Sequence, residues 1–510
     1  MKKVIVIGGG VSGLAAGITA LQAGYACEIF EKNAVTGGNL TGWVRSGYTV
    51  DNCIHWLTGT KTGTKQNQIW QELGALDNQP DALYRPSCLF TSQQGEEQLI
   101  FSRDPEKTKA RMLELSPKDR TEILRFFDAL DALFGEGKGM RRRLRQMRAL
   151  WFYGKYNLYQ LAARFSHPLL RMAMTDFLGG ELCALALLFA YGTFAYENGD
   201  IPRGGSLAMA KRMTDRFLSL GGQLHLRMPV VRILRGAQGM GVVCADGQVF
   251  LAEELVCATD PAVLFSFENT AVQATTLPSG YTAVHVPVPD AFRKRYTHPE
   301  NYPICSSLHA AFAVNRDAAT TLCGTHTIDI RPMVICGRII TRIPLRAFCY
   351  EPDFAPEGKT VLQCLVFLRQ PECEKWLNLR EDPTAYAAEK KRFATDLAER
   401  IAERIPALQK ELTPLDVWTP ATYHRYFGSY YGSYMSFLWT KGLPHRRLSS
   451  RLPGFSHLHL ATQWQTSPGG LPLAAQAGIR AVRSFADVQK NHAKSPASLP
   501  EKQPVKSTQP

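Results

Sequence analysis

Three glycines near the N-terminus have the spacing of a phosphate-binding turn. Gly8, Gly10 and Gly13 form the pattern G-x-G-x-x-G within the run GGGVSG. In such a turn the first glycine allows a tight bend, the second lets the backbone approach a pyrophosphate, and the third lets a helix pack close to a strand. Ser12, inside the turn, is a further candidate contact. A glycine-rich turn that binds nothing is the alternative.

The elements around this turn favour the binding interpretation. The apolar, β-branched run 4–7 predicts a buried parallel strand, and 14–23 predicts the helix that follows it. A second apolar strand is predicted at 27–30, and Glu31 ends it, eighteen residues after Gly13. There its carboxylate can accept hydrogen bonds from a ribose diol, while the helix N-terminus faces the pyrophosphate. The order of strand, glycines, helix, strand and acid predicts an adenine dinucleotide site.

Composition sets broad limits on the class of protein. The chain has 510 residues, of which 45% are hydrophobic and 20% are charged, as in a soluble globular protein with two or three compact units. Its 12 cysteines show no C-x-x-C and no Cys/His cluster, so we predict neither a disulfide framework nor a metal site. Scattered thiols fit the cytoplasm. The longest later apolar run, 182–195, is too short to span a bilayer.

Part of the net charge of +14 is concentrated in one basic segment, residues 141–153. Five arginines there lead into the apolar and aromatic run 149–153. Such a segment could lie on a membrane surface, with its cations at lipid phosphates and its rings among acyl chains. The alternative is a solvated helix face with inward-packed aromatics. Nucleic-acid binding is not predicted, because no recognition motif accompanies the charge.

The residues after the second strand carry a family resemblance. The pattern E-K-x-x-x-x-G-G, from Glu31 and Lys32 to Gly37 and Gly38, resembles FAD-containing oxidoreductases of the phytoene desaturase, carotene isomerase and retinol saturase group, within the amine oxidase-like superfamily. The resemblance implies FAD as cofactor, with the Gly-Gly turn beside its ribityl and phosphate portion. An arginine usually follows the two glycines, whereas this chain has Asn39.

Two later segments extend the resemblance. In this family the residue at Val230 lies against the adenine through its backbone, and Asp260 stands where the chain crosses back toward the dinucleotide. A C-terminal helix beginning near Gly469, Gly470 and Leu471 would point its N-terminus at the flavin. A helix dipole there stabilises the negative charge of reduced flavin. The segment 466–475 offers no Cys or His for a covalent flavin link.

His55 is the candidate catalytic residue. It follows the segment 47–54, which stands where these flavoproteins have a G-x-x-x-D strand leading toward the flavin ring. Histidine alone titrates near neutrality without perturbation, which suits acid–base chemistry. A buried structural histidine is the alternative interpretation.

The resemblance implies an α/β fold, with a Rossmann-like FAD-binding domain and an interleaved α+β substrate domain of mixed sheet plus helices. We predict a discontinuous FAD-binding domain at 1–65, 200–260 and 416–488, a substrate domain at 66–199 and 261–415, and a disordered tail at 489–510. The segment 66–200 is predicted to be mainly helical, including one helix at 178–196, and 333–340 is predicted to be a strand.

Three functions remain open at this point. The first is hydride transfer between flavin and a lipophilic unsaturated substrate, an isoprenoid, polyene or lipid. The second is amine oxidation, although the position where amine oxidases place an aromatic ring is here Gly470; Trp464 could substitute. The third is a flavin-dependent isomerase or a non-redox flavoprotein. No second dinucleotide motif is found, which predicts independence from NAD(P)H, and the sequence does not specify an oligomeric state.

Overall fold

The architecture was obtained as a computed structural model. It describes residues 1–77, 79, 81–267, 277–322, 324–409, 411–442 and 446–494. Its strands are β1 (Lys3–Ile7), β2 (Ala26–Phe30), β3 (Gly42–Arg45), β4 (Tyr48–Asp51), β5 (Leu57–Thr58), β6 (Leu83–Tyr84), β7 (Cys88–Gln94), β8 (Glu97–Ser102), β9 (Gly199–Pro202), β10 (Gln223–His225), β11 (Val230–Arg235), β12 (Met240–Cys244), β13 (Val249–Ala252), β14 (Glu254–Cys257), β15 (Thr282–Val284), β16 (Cys305–Asn315), β17 (Gly324–Ile335), β18 (Arg338–Ala347), β19 (Lys359–Arg369), β20 (Thr413–Trp418) and β21 (Leu458–Leu460).

Its α-helices are α1 (Val11–Gln22), α2 (Lys65–Glu72), α3 (Pro105–Leu115), α4 (Arg120–Phe134), α5 (Met140–Gly154), α6 (Leu158–Ala162), α7 (Pro168–Asp176), α8 (Ala184–Ala195), α9 (Gly205–Ser219), α10 (Pro261–Phe265), α11 (Asp290–Thr297), α12 (Arg316–Ala319), α13 (Gln370–Leu379), α14 (Pro383–Arg404), α15 (Pro420–Phe427) and α16 (Leu471–Lys494). None of the helices described is long and apolar enough to cross a membrane.

A five-stranded parallel sheet organises the N-terminal motif. Its strand order is β10-β2-β1-β14-β21, so strands from four distant parts of the chain meet. Residues 4–7 of the first strand are all apolar because both faces of the strand are covered. Val4 and Val6 pack in the cluster that holds α1 and α16, whereas Ile5 and Ile7 pack against the four-stranded sheet β13-β12-β11-β15. The predicted Rossmann-like α/β unit is confirmed.

A second, mixed sheet forms the other half of the molecule. Its seven strands have the order β20-β16-β19-β18-β17-β7-β8, and only the pairing of β17 with β7 is parallel. One hydrophobic cluster joins this sheet to α13 and α14. Another joins the β7–β8 edge to the helices α4 to α8. The predicted α+β unit of mixed sheet plus helices is therefore also confirmed.

Two details of the predicted elements are wrong. The single helix predicted at 178–196 is only α8, because the chain turns at Gly179, where φ is +76°. The strand predicted at 333–340 contains the turn between β17 and β18, where Cys336 and Gly337 both have positive φ. The segment 66–200 is mainly helical, as predicted, and the β7–β8 hairpin interrupts the run of helices α2 to α8.

The predicted domain limits can be placed on these elements. The boundary between 415 and 416 falls inside β20, which pairs with β16 in the seven-stranded sheet. Strand β15, inside the segment 261–415, pairs instead with β11 of the four-stranded sheet. In the predicted tail, residues 489–494 continue α16, and residues 495–510 lie outside the described part of the chain.

Candidate functional site

A single large cavity, of about 1460 Å3, is enclosed by the parallel sheet on one side and the seven-stranded sheet on the other. Thirteen of the fourteen predicted site residues line it, and only Gly13 does not. The thirteen are Gly8, Gly10, Ser12, Glu31, Lys32, Gly38, Asn39, His55, Val230, Asp260, Gly469, Gly470 and Leu471. The structure thus brings together residues from both ends and from the middle of the chain.

The glycine turn has the geometry that its spacing predicts. A Cβ atom on Gly13 would lie 1.9 Å from the carbonyl oxygen of Gly8, so no side chain fits between helix α1 and strand β1. Gly8 has φ of +98°, a conformation that other residues rarely adopt. Gly10 and Gly38 lie side by side, and a Cβ atom on Gly38 would come within 3.3 Å of the Gly10 Cα atom. A side chain at Gly38 would therefore press against the backbone of Gly10 in the cavity wall.

Glu31 is held in place by the backbone around it. Its Oε2 atom accepts a hydrogen bond of 2.8 Å from the Gly9 N–H group. Its Oε1 atom accepts from both the backbone and the side-chain N–H groups of Asn33, each at 2.9 Å. The carboxylate is buried but still borders the cavity, so one of its roughly four lone-pair sites remains for a hydroxyl group of a ligand.

Two of the predicted residues already have protein partners. The Ser12 hydroxyl donates to the carbonyl oxygen of Ala474 at 3.0 Å, which joins α1 to α16. The Lys32 ammonium donates to the carbonyl oxygen of Arg425 at 3.1 Å, and burial lowers the pKa of Lys32. Both side chains therefore position the walls of the cavity, whatever contact they make with a ligand.

Asn39 behaves differently, because half of its amide is unpaired. Its Nδ2 atom donates to the carbonyl oxygen of Tyr434 at 3.2 Å. Its Oδ1 atom is buried and has no hydrogen-bond partner among the described residues. A buried acceptor without a partner is costly, so this side chain is suited to receive a donor from a bound group.

Asp260 caps the short helix α10 at the cavity wall. It accepts hydrogen bonds of 2.9 Å from the backbone N–H groups of Ala262 and Tyr430. Burial nevertheless raises the pKa of Asp260 to about 7. Val230 is the first residue of β11. It is buried, and together with Pro229 it lines the cavity.

The C-terminal glycines begin helix α16 at the edge of the cavity. Gly469 and Gly470 have φ of +86° and +97°, and the Gly470 N–H group donates to Gln463 Oε1 at 2.9 Å. Leu471 opens the helix, and its first turn lines the cavity. A helix N-terminus placed in this way offers N–H groups and partial positive charge to a bound anionic group.

His55 borders the large cavity, but it does not titrate near neutrality. Burial and then the positive charge of Arg346 lower the pKa of His55 to about 3. His55 also lines a second cavity of about 40 Å3, together with Asn39, His309 and Tyr423. That cavity is large enough for one water molecule. The premise that His55 titrates near pH 7 is therefore wrong, and its catalytic role stays a prediction for a neutral imidazole.

The cavity continues beyond His55 along strand β18. Arg346, near one end of this strand, donates from Nη1 to the carbonyl oxygen of Ile54 at 2.6 Å. Arg342 and Arg338 lie earlier on the same strand, and both line the cavity. If a strand advances ~3.3 Å per residue, they lie about 13 Å and 26 Å from Arg346. The cavity is therefore elongated, with the glycine turn and His55 on one side and a wall of charged side chains farther along.

Sequence reasoning missed this far part of the site. Arg342 forms a bidentate ion pair with Asp176, and Arg338 pairs with Glu372 at 2.6 Å. Residues 177–182 of the loop before α8 also line the cavity, and this loop from 178 onward was predicted to be helical. The alternation of cavity-facing residues on β18 was the available signal, but the strand itself was misplaced.

The residues on the cofactor side fit a dinucleotide. They supply a turn without side chains, the N-terminus of α1, a fixed carboxylate and a buried amide oxygen that lacks a partner. These are the groups that hold pyrophosphate and ribose in nucleotide-binding folds. The N-terminus of α16, opposite, is placed for a flavin ring, as the resemblance implies.

Comparisons with known proteins agree with this geometry. The family model for flavin containing amine oxidoreductase matches residues 11–484. The chain is 23% identical over 474 residues to phytoene desaturase (lycopene-forming) from Pseudescherichia vulneris, covering 86% of this chain and 89% of that one. It is 20% identical over 463 residues to chloroplastic prolycopene isomerase from Arabidopsis thaliana, covering 85% and 74%.

Solved structures share the fold. An oxidoreductase from Methanosarcina mazei superposes with a TM-score of 0.57 at 16% identity, covering 94% of this chain and all of that one. The extent of the family match, together with the glycine turn, the fixed carboxylate and the C-terminal helix, leads to one conclusion. The chain belongs to the flavin-containing amine oxidoreductase family and is an FAD-dependent oxidoreductase.

Proposed function

We propose that this enzyme transfers hydride between flavin N5 and a carbon of a lipophilic unsaturated substrate, an isoprenoid, polyene or lipid, and so changes a CH–CH bond. The observation that carries the proposal is the shape of the cavity, which continues from the cofactor side along β18. Apolar side chains line much of this length, among them Trp56, Phe177, Phe189, Phe367 and Trp439. An extended apolar chain gains free energy by leaving water for such walls.

The chain's own residues have three tasks in this proposal. The N-terminus of α16 would stabilise negative charge on the cofactor when it is bound and reduced. The apolar walls exclude water from the reacting bond. His55 remains neutral across the physiological range, so it orients a ligand by hydrogen bonding and does not act as a cationic acid. The two relatives, a desaturase and an isomerase named for carotenoid substrates, support a polyene as substrate.

Amine oxidation is the weaker candidate. A Cβ atom on Gly470 would meet nothing within 4 Å, so the aromatic ring expected beside an amine is replaced by open space. Trp464 lines the cavity, but it is only 2% exposed and packs edge-on against Phe437 and Tyr430, at ring-centre distances of 4.8 and 5.9 Å. That packing favours the apolar substrate over the amine.

Isomerisation without net redox change is the second candidate, supported by the similarity to prolycopene isomerase. One experiment separates the candidates. The FAD-loaded protein is mixed anaerobically with C20 and C40 isoprenoids, both saturated and polyene forms, and with primary amines. We expect a change of two mass units in an isoprenoid, coupled to a change in flavin absorbance. An isomer of unchanged mass with no net bleaching would indicate an isomerase, and bleaching by amines alone would reject the proposal.

We also propose that helix α5 docks the enzyme on an anionic membrane surface. Met140, Leu144, Met147 and Trp151 recur at helical spacing and are 70%, 47%, 65% and 67% exposed. Exposed apolar residues at this spacing form a stripe that suits the acyl region of a membrane interface. Tyr153, in contrast, is buried, so only part of the aromatic run packs inward.

The position of α5 links the proposed membrane contact to the cavity. Helix α5 packs beside α8, and Phe189 of α8 is both 41% exposed and part of the cavity wall. A lipophilic substrate could thus pass between the bilayer and the cavity near this helix. Arg142 and Arg145 are occupied by contacts to α4 and the α4–α5 loop, which leaves Arg141, Arg143 and Arg148 exposed for lipid phosphates.

A further inference from the structure

We propose that the substrate chain ends in a neutral oxygen group, a hydroxyl or carbonyl, and that Thr327 and Arg342 bind this oxygen. The inference rests on the proposed function, since it specifies the substrate of the same cavity. It is drawn from a polar cluster on the wall formed by β7, β17 and β18. A purely hydrocarbon substrate would leave this cluster without a role.

Arg342 is the centre of the cluster. Its Nε and Nη2 atoms donate to the two carboxylate oxygens of Asp176, at 3.0 and 2.7 Å. Its Nη1 atom donates to Asp329, and Nη2 donates a further bond of 3.2 Å to the Ser92 hydroxyl. Ser92 in turn donates to Asp176 at 2.5 Å. These bonds hold the guanidinium group in one orientation, and the Arg342 side chain is only 15% exposed.

Within the described part of the chain, two hydrogen-bonding groups of the cluster make no hydrogen bond. The Thr327 hydroxyl is buried and has no partner among the described residues, and Thr327 lines the cavity. Thr327 of β17 pairs with Ser92 of β7 in the sheet, and it lies two residues from Asp329 on β17. Thr327 therefore belongs to the cluster. A guanidinium group carries five N–H bonds, and the four contacts of Arg342 leave one. A hydroxyl that donates and accepts, beside a spare N–H donor, matches an alcohol or carbonyl oxygen.

The charges of the cluster exclude an anionic end group. Asp176 is only 5% exposed and Asp329 is 38% exposed, and both carboxylates contact the single cation Arg342. The local balance is therefore one positive against two negative charges, which opposes a bound carboxylate. A cationic end group would face the guanidinium group of Arg342, which carries the same charge and only donates hydrogen bonds. A neutral oxygen avoids both penalties.

The cluster also fixes where the polar end lies. Arg342 is four residues from Arg346 on β18, and Arg346 contacts the residue before His55. At ~3.3 Å per residue, the oxygen would sit about 13 Å from that contact along the strand. The chain's reacting bond would then lie at a set distance from its oxygenated end, and this distance would determine which bond meets the cofactor.

The test compares three C20 isoprenoids on the FAD-loaded protein: geranylgeraniol, its carboxylic acid, and the hydrocarbon in which a methyl group replaces the hydroxymethyl group. Dissociation constants are measured by equilibrium dialysis for wild type, Thr327→Val, Thr327→Ser and Thr360→Val. We expect Thr327→Val to raise the dissociation constant of the alcohol by about threefold to tenfold, which corresponds to the loss of one hydrogen bond. The dissociation constant of the hydrocarbon should stay within about twofold of the wild-type value. Thr327→Ser should keep the alcohol's affinity.

The controls separate the possible failures. Thr360 is buried on the neighbouring strand β19 but lies outside the cavity lining, so Thr360→Val should change no constant. Valine matches threonine in shape and the replaced hydroxyl is unpaired, so the Tm of Thr327→Val should not fall. Equal effects on all three ligands, or tightest binding of the acid, would overturn the polar-end assignment and leave the proposed function standing. If the wild type binds neither the alcohol nor the hydrocarbon, both the polar-end assignment and the proposed function are overturned.

Discussion

Arg346 donates a hydrogen bond of 2.6 Å to the carbonyl oxygen of Ile54, and thereby places a cation beside the next residue, His55. Burial and this charge lower the pKa of His55 to about 3, so the folded protein binds fewer protons than the unfolded chain between pH 6.5 and 3. Stability is therefore lost as the pH falls below about 6.5.

We expect His55→Gln to reduce this acid sensitivity. The wild type should lose on the order of 1–2 kcal/mol at pH 5 through His55, a loss that a neutral amide does not incur. The Tm of the FAD-loaded protein, measured from pH 4.5 to 7.5, should then depend less steeply on pH in the variant. His298→Gln, at an exposed position, is the control and should follow wild type. A parallel slope for His55→Gln would show that His55 is protonated in the folded protein.

Asp260 should affect stability in the opposite direction. Burial raises its pKa to about 7, so the folded state binds more protons than the unfolded chain between pH 4 and 7. This contribution to stability is present at low pH and is lost as the pH rises through 7. Asp260→Asn should flatten the decline in Tm between pH 4.5 and 7, even if its absolute Tm is lower because one backbone N–H group loses its acceptor. If the Tm of Asp260→Asn declines with pH as steeply as that of the wild type, a group other than Asp260 is responsible for the decline.

Glu31→Ala should weaken FAD binding by about 1–3 kcal/mol, or roughly fivefold to 150-fold in Kd, because the ribose would lose its acceptor and the Gly9 N–H group its partner. The measurement is a titration of apoprotein with FAD. Glu28→Ala is a matched control on the same strand, since Glu28 pairs with Lys3 and does not line the cavity. Equal Kd values for Glu31→Ala and wild type would mean that the ribose lies elsewhere.

Helix α5 should confer salt-sensitive binding to anionic vesicles. Replacing Arg141, Arg143 and Arg148 together by Gln should abolish most of the salt-dependent part, about 1 kcal/mol per charge at low ionic strength. Co-sedimentation with phosphatidylserine-containing and neutral vesicles provides the measurement. A control variant carries Gln at Arg120, Arg171 and Lys391, which are exposed on other helices. Equal partitioning of wild type onto both kinds of vesicle would reject the electrostatic contribution.

NADH and NADPH should leave the flavin oxidised under anaerobic conditions. The two other glycine-rich segments lack the required setting, because 135–139 follows helix α4 and 236–241 connects the antiparallel strands β11 and β12. Neither stands between a parallel strand and a helix, as a second dinucleotide site requires. Stopped-flow absorbance checks this expectation, and rapid bleaching by either nicotinamide would contradict it.

The cofactor side was predictable because its signals are local. Gly8, Gly13 and Glu31 lie within one strand–helix–strand unit, and each residue type follows from a backbone requirement that the unit itself imposes. The far wall was not predictable in this way. Arg342 and Asp176 are 166 positions apart, and nothing near either residue specifies the other. The pKa of His55 likewise depends on Arg346, which reaches it only through the packing of two sheets.

The hydrogen bond from Ser12 to Ala474 spans 462 positions of the chain. On a ribosome that adds 5–20 residues per second, the first strand–helix–strand unit would emerge roughly 20–90 s before its closing helix. During that interval the apolar face of α1 that α16 later covers stays open, together with both edges of a half-built parallel sheet. A nascent chain of this protein is therefore a natural client for a chaperone that shields apolar surface, and the cofactor can be enclosed only after synthesis is nearly complete.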